Sequence, residues 1–187
     1  MKKLLPLSLL LFASQALGES KKIADLRKMA EAGDPHVQFS LGFQYEEGED
    51  VGRDFKEAAK WYRKAADQGL ATAQFKLAKM YDNGHGVSRD AEQAFAWYRK
   101  AAKNGHAFAQ NNLGVMYDNG EGVTEDDVNA YAWFNVSAFS GNPKAGRNRD
   151  IVAERLNAKQ IAAAQSLSKQ LANAIEVNKK NQKKRKK

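Results

Sequence analysis

From residue 34 onward the apolar positions fall into short stripes with polar residues between them. Val37, Leu41 and Tyr45 lie four apart, one face of a helix, and Ala73, Leu77 and Tyr81 repeat them. After a break, Ala58, Trp61 and Ala65 make a second stripe. The whole pattern returns with a period of 36. Leu41, Leu77 and Leu113 align, as do Tyr45, Tyr81 and Tyr117, and Trp61, Trp97 and Trp133. Units 70–105 and 106–141 are identical at 17 of 36 positions, spread too evenly for coincidence. The first complete unit is 34–69. The stretch before it, 19–33, ends in Met29-Ala30-Glu31-Ala32-Gly33 and matches only the end of a unit, so it is expected to be a partial repeat helix.

Each unit therefore predicts two helices. Gly48, Gly84 and Gly120 stand where the first should stop, since glycine tolerates the left-handed conformation just past a helix end. Asp54, Asp90 and Asp126 stand where the second helix needs an N-cap. Gly69, Gly105 and Gly141 end it. Helices of about 14 residues span roughly 21 Å, and short connections make neighbours antiparallel. The recurring MYDNGHGV (80–87) and MYDNGEGV (116–123) could be read as ion-binding loops. A calcium loop needs oxygens at alternating positions and a bidentate Glu at its end. His85, Val87 and Ser88 occupy those places, so the segments are turns, and no metal or cofactor is expected.

Spacing and residue types together resemble a known family. Ala109-Gln110, Leu113-Gly114, Met116-Tyr117 and Gly120-Glu121-Gly122-Val123 carry one half of the likeness. Ala94, Trp97-Tyr98-Arg99-Lys100-Ala101-Ala102 and Gly105 carry the other. These units are similar to the Sel1-like repeat, a relative of the tetratricopeptide repeat with a longer loop. The likeness covers 34–141. It implies an all-α fold, a right-handed α-solenoid of antiparallel helix pairs with three full 36-residue repeats at 34–69, 70–105 and 106–141. Asp50 departs from the pattern where the later units have glycine. Phe134, Asn135 and Val136 replace Tyr-Arg-Lys in the third unit, so its second helix is expected to face a different neighbour. Several exported members of the family are rich in cysteine. This chain has none, so catalytic or disulfide-linked roles attached to those members do not carry over.

The flanks differ in kind. Residues 142–178 are expected to form capping helices. Asn157 and Gln160 are spaced as a capping box, and Ile161, Ala164, Leu167 or Ser168, Leu171 and Ile175 follow as one apolar stripe. Residues 1–18 (MKKLLPLSLLLFASQALG) have a basic start, a short apolar run and a small-x-small end, as a cleaved signal peptide does. The run falls short of the roughly 20 residues that cross a bilayer. An exported, periplasmic or secreted, bacterial protein without a lipid-anchoring cysteine is expected.

The net charge of +8 is uneven. The leader carries +2 and the last nine residues, 179–187, carry +7, which leaves about −1 for residues 19–178. So basic a tail is expected to stay disordered.

The chain offers little for catalysis. His36, His85 and His106 have no partners at metal-ligand spacing, and no nucleophile elbow, phosphate loop or zinc-protease motif occurs. A non-catalytic adaptor is the expectation. By similarity with tetratricopeptide proteins, the side of each first helix away from the core lines a concave groove that takes a partner protein. That side holds His36, Phe39, Phe43 and Glu46, then Phe75, Lys79 and Asp82, then Phe108, Asn111 and Asp118. The phenylalanines either form an apolar docking surface or fill gaps between adjacent units; periodicity leaves both open. The acids would favour a partner with basic residues. The alternative is binding to an anionic lipid, lipopolysaccharide or wall polymer through Lys179, Lys180, Lys183, Lys184, Arg185, Lys186 and Lys187. Nucleic acid ranks lower, because the body is near neutral and the leader directs the chain out of the cytoplasm.

Overall fold

The computed structural model of the protein describes residues 21–185. The leader assigned to 1–18, and Lys186 and Lys187, lie outside them. The described residues form nine helices and no strand: α1 (Lys21–Glu31), α2 (Pro35–Glu47), α3 (Phe55–Asp67), α4 (Ala71–Asn83), α5 (Ala91–Lys103), α6 (Ala107–Asn119), α7 (Asp127–Phe139), α8 (Ala145–Ala153) and α9 (Ala158–Arg185). They build a right-handed solenoid. The pairs α2/α3, α4/α5 and α6/α7 are the three repeats, α1 precedes them as a half-repeat, and α8 and α9 close the far end.

The local signals act as the sequence implies. Asp54, Asp90 and Asp126 side chains each accept from backbone amides at a helix start. Gly48, Gly84 and Gly120 follow the first helices with φ of 78°, 72° and 68°. The loop then doubles back, and the amide of Asp90 donates to the carbonyl of Tyr81 at 3.0 Å. The same closure joins Asp54 to Tyr45 and Asp126 to Tyr117. Thus one glycine and one aspartate per unit set both ends of the long connection.

Inside a repeat, a small residue on the first helix admits a ring from the second. A Cβ at Gly42 would lie 2.9 Å from the Tyr62 ring, and one at Gly114 would lie 2.7 Å from Phe134. Leu41, Leu77 and Leu113 are fully buried beside Ala58, Ala94 and the three tryptophans. Each such leucine contributes about 2 kcal/mol by leaving water.

Between repeats, backbone meets backbone. Gly86 has φ of +72°, and a Cβ on it would sit 2.0 Å from the carbonyl oxygen of Phe55. Gly122 stands in the same relation to Ala91, at 2.2 Å. The second glycine of the loop is thus required because the loop rests on the start of the previous repeat's second helix. In the first repeat the position is Asp50, whose carboxylate meets Lys22 of α1 at 2.5 Å. A departure in the sequence becomes a different contact at the first end of the stack.

A ladder of side-chain amides runs through the interior. Gln38 Nε2 donates to the Ala30 carbonyl, and Gln68 Nε2 donates to Gln38 Oε1 at 2.8 Å. One repeat on, Gln74 donates to Ala66, and Asn104 Nδ2 donates to Gln74 Oε1 at 2.8 Å. In the third repeat Gln110 donates to Ala102, but Ser140 replaces the amide and is too short to answer it. Gln110 is 0% exposed and its Oε1 has no hydrogen-bond donor. A buried acceptor left unmatched costs about 1–3 kcal/mol.

The cap is as expected in its start and different in its end. Asn157 and Gln160 exchange the two hydrogen bonds of a capping box, each at 3.0 Å. From there α9 lies along α7, burying Ala164, Ser168 and Ile175. The segment 179–185, expected to be disordered, instead continues the helix as far as Arg185. The three-four spacing of the buried stripe carries on past Ile175 through Asn178 and Gln182. Their amides both donate to Asn104 Oδ1, at 2.6 and 2.9 Å. Lys179 also bonds Glu176 one turn back at 2.9 Å, and lysine has good helix propensity. Polar contact to the repeats thus extends a helix whose charge alone argued against order.

Three substitutions test these constraints. Gly86→Ala should lower stability by about 3 kcal/mol or more. Gly141→Ala, where a Cβ meets nothing within 4 Å, should cost only the left-handed strain of about 1–2 kcal/mol. Ser140→Asn should restore the third amide pair and raise stability by about 1 kcal/mol. Urea midpoints at unchanged m-value would measure all three.

Candidate interaction surface

The first helices α2, α4 and α6 each place one row of side chains away from the leucine stripe, and the phenylalanines of that row divide into two kinds. Phe39 and Phe75 fill space. Phe39 packs against Tyr62 with ring centroids 5.4 Å apart, and Phe75 packs against Tyr98 at 5.9 Å. Both lie partly buried against the core. Phe43 and Phe108 stay in water, 40% and 56% exposed. Phe108 sits at the edge of a cluster in which His106 stacks on Phe75 at 4.4 Å. Phe43 has the ammonium of Lys76 5.5 Å from its ring centre.

The polar members of the row are mostly occupied. Glu46 accepts from the Tyr62 hydroxyl and from Lys76 Nζ, the latter at 2.7 Å. Asp82 accepts from the Tyr98 hydroxyl at 3.1 Å. Burial, and then the neighbouring carboxylate, push the Tyr62 phenol well above its usual range, so it stays a donor. In the third repeat Phe134 has no hydroxyl to offer. Asp118 instead takes Arg155, which also bonds Asp127. Those hydrogen bonds raise the guanidinium further and keep it charged. Asn111 accepts from Asn148 of α8 at 3.0 Å. Of the acids expected to attract a basic partner, Glu46, Asp82 and Asp118 are therefore engaged inside the scaffold, while Glu47 lines an open cleft.

Lys79 is exposed and lines an open cleft of about 300 Å³ with Glu46, Glu47, Arg53, Phe55 and His85. His85, read from the sequence as a loop residue, stacks on Phe55 of the preceding repeat at 5.0 Å. It gets there because Gly86 rests on the Phe55 carbonyl. The signal for this was the recurring second loop glycine, but its contact partner lies 31 residues away in sequence. His36 lines another cleft, with Asp67 and Gln68 on one side and Asn178 and Gln182 of α9 on the other.

Of the basic residues singled out in the sequence, Lys179 is tied to Glu176, while Lys180, Lys183 and Lys184 are exposed on the last turns of α9. Arg185 ends the helix. Among the described residues no group of three acids or histidines is placed to hold a metal ion, and no helix is long and apolar enough to cross a membrane.

The sequence matches the family described as Sel1 repeat over residues 35–70, 71–106 and 107–139. No curated protein matches it. Among solved structures, it is similar to a protective antigen present in uropathogenic Escherichia coli strains that displays an SLR fold. The two are 35% identical with a TM-score of 0.76, over 92% of this chain. This chain spans 38% of that protein's length. A Sel1 repeat protein from Oxalobacter formigenes is 38% identical over 70% of this chain and 98% of its own, with a TM-score of 0.64. Helicobacter pylori cysteine rich protein B, at 19% identity and a TM-score of 0.55 over 69% of this chain and 98% of its own, shares the fold alone.

His106 gives this surface a pH dependence. Its Nδ1 accepts the amide of Ala109 as the N-cap of α6, at 3.2 Å, and only the neutral ring can accept. Burial holds its pKa below the ordinary value of 6.5. The stabilisation is therefore full above the unfolded value and is lost as pH falls through the lowered folded one. His106→Asn keeps a cap without titrating. Urea midpoints compared between about pH 5 and 8 should fall more steeply toward acid for the wild type than for the variant.

Proposed function

Because this chain belongs to the Sel1 repeat family, a fold that mediates protein–protein interaction, we propose that it is an exported, non-catalytic adaptor that docks a peptide or protein partner along the first-helix face of its repeats. The observation that carries this is the pair of exposed rings. Phe43 and Phe108 remain in water on a face where Phe39 and Phe75 already fill the gaps between helices. Apolar groups left exposed on a rigid surface and flanked by polar ones are the usual form of an interaction site.

The mechanism is burial on a pre-formed support. Phe43 is backed by Lys76 and its partner Glu46, and Phe108 by the His106–Phe75 stack, so neither ring needs large rearrangement to bind. A partner's apolar side chains cover the rings and supply most of the energy, while the polar rim excludes poor fits. Since Glu46, Asp82 and Asp118 are committed within the scaffold, the charge left for recognition comes from Glu47, Arg53 and Lys79 around the cleft. That favours a partner of mixed charge over a simply basic one. Sel1 repeat proteins are generally non-catalytic scaffolds. Export rests on the leader, and the protective-antigen relative fits it.

A second reading follows from the basic end of α9. Lys180, Lys183 and Lys184 are exposed on helical turns and so hold a fixed spacing. Near an anionic lipid or polymer each contributes on the order of 1 kcal/mol. Such binding would weaken steeply with salt.

Peptides selected on the wild-type protein from a displayed library test the first reading. Phe43→Ala and Phe108→Ala should each weaken the selected peptide about tenfold or more with an unchanged melting curve. Alanine at Lys180, Lys183 and Lys184 should leave it within about twofold. Affinity indifferent to both phenylalanines would remove the proposed face. Binding lost with the lysines, and with added salt, would favour the second reading.

A further inference from the structure

The two junctions between repeats are built alike but lined differently. At the first, Arg53, Phe55, Lys79 and His85 come together. At the second, the equivalent residues are Arg89, Ala91, Val115 and Glu121. The backbone contact that sets the junction is the same in both, Gly86 on Phe55 and Gly122 on Ala91. Packing therefore does not require the first set, because the second junction does without it.

The first junction opens as the cleft of about 300 Å³ described above, and its charges divide into a closed pair and three open groups. Lys76 and Glu46 are joined at 2.7 Å. Arg53, Lys79 and Glu47 are exposed, and among the described residues none of the three has an ion-pair partner. The Arg53 guanidinium lies 5.5 Å from the centre of the Phe55 ring, which also carries the His85 ring at 5.0 Å. That stack supports the arginine from the loop, while Lys79 reaches the cleft from α4. At the second junction Arg89 is tied down, its Nε donating to the Asp82 carbonyl at 3.0 Å, and Val115 and Glu121 supply no cation.

We propose that this cleft takes one carboxylate side chain of the partner, an aspartate or glutamate beside the apolar residue that covers Phe43; the inference rests on the first-helix face being the docking surface. The open groups, two cations and one acid, leave a single positive charge, and one entering carboxylate removes it. A run of acids would meet Glu47, and a basic segment would meet Arg53 and Lys79. A guanidinium can hold a carboxylate through two parallel hydrogen bonds, and a lysine adds a point charge from a second element. Phe43 is placed to meet the neighbouring residue. Lys76, which lines the cleft, lies 5.5 Å from its ring centre, and Glu47 follows it by one helical turn. Charge at the cleft thus fixes the register in which the apolar residue reaches the ring.

Peptides selected on the wild-type protein from a displayed library, then synthesised with amidated C-termini, test this. Those that need Phe43 should carry Asp or Glu at a constant spacing from an apolar residue. Replacing that acid by its amide should weaken binding to the wild type about tenfold. On a variant carrying both Arg53→Glu and Lys79→Val the same replacement should no longer weaken it. These are the residues that the third repeat has at the equivalent positions, Glu125 and Val115, so the variant should fold, and an unchanged melting curve checks that. Lys79→Val alone, the milder change, should weaken the acidic peptide about threefold or more. Phe43-dependent peptides without an acid, or an amide form that binds as well as the acid, would overturn the inference and leave the docking face in place. So would binding that needs a free C-terminal carboxylate instead of the side chain. If no selected peptide depends on Phe43, the face itself falls, and the role of the cleft with it.

Discussion

The arrangement of the stack depends on the approach of one repeat's loop to the backbone of the repeat before it. At Gly86 and Gly122 the loop lies so close to the preceding helix start that a single methyl group would collide with a carbonyl oxygen. Contact this tight fixes the spacing of the repeats, because backbone cannot change rotamer to relieve it. Other contacts bridge neighbouring repeats as well: His85 on Phe55, Arg63 at Tyr81, and the glutamine and asparagine amides in the interior. A solenoid has only nearest-neighbour contacts, so a rigid neighbour contact is what makes it rigid overall.

A stack must also end, and its last member shows how. The third repeat gives up three groups that its predecessors use. Phe134 lacks the hydroxyl that Tyr62 and Tyr98 give to an acid, Val136 replaces a lysine, and Ser140 replaces an amide. The first two losses are matched by gains from the cap. Arg155 takes Asp118, and α9 covers Val136. The third is not matched, and Gln110 keeps an unanswered buried oxygen. The cap instead reaches back to the second repeat, where Asn178 and Gln182 bond Asn104. α9 is thus both the cover of the last repeat and a brace across the last two.

This division of labour separates stability from recognition. Alanines, leucines and tryptophans recur because every repeat must bury them. Phe43, Phe108 and Phe139 have no phenylalanine, tyrosine or tryptophan at the equivalent positions of the other repeats, and all three are exposed. Side chains free of the packing constraint are where a scaffold can acquire a partner, and they occur on two separate faces.

The sequence by itself determined the helix pairs, their ends and their number. Those depend on local chemistry that a linear pattern records: an aspartate cap, a left-handed glycine, an apolar stripe and a period of 36. The capping box at Asn157 and Gln160 was legible for the same reason. The candidate surface was legible only as a row of positions. Its division into space-filling Phe39 and Phe75 and exposed Phe43 and Phe108 depends on which rings lie across the gap, some of them 23 residues or more away. The commitment of Glu46, Asp82 and Asp118 depends on hydroxyls and a guanidinium from other helices. The order of residues 179–185 rests on an amide at position 104, about 75 residues earlier in the chain. Tertiary structure decided these points because a side chain's exposure and its charge partner are properties of its neighbours in space, and the repeat period brings distant residues together without writing their contacts into either segment.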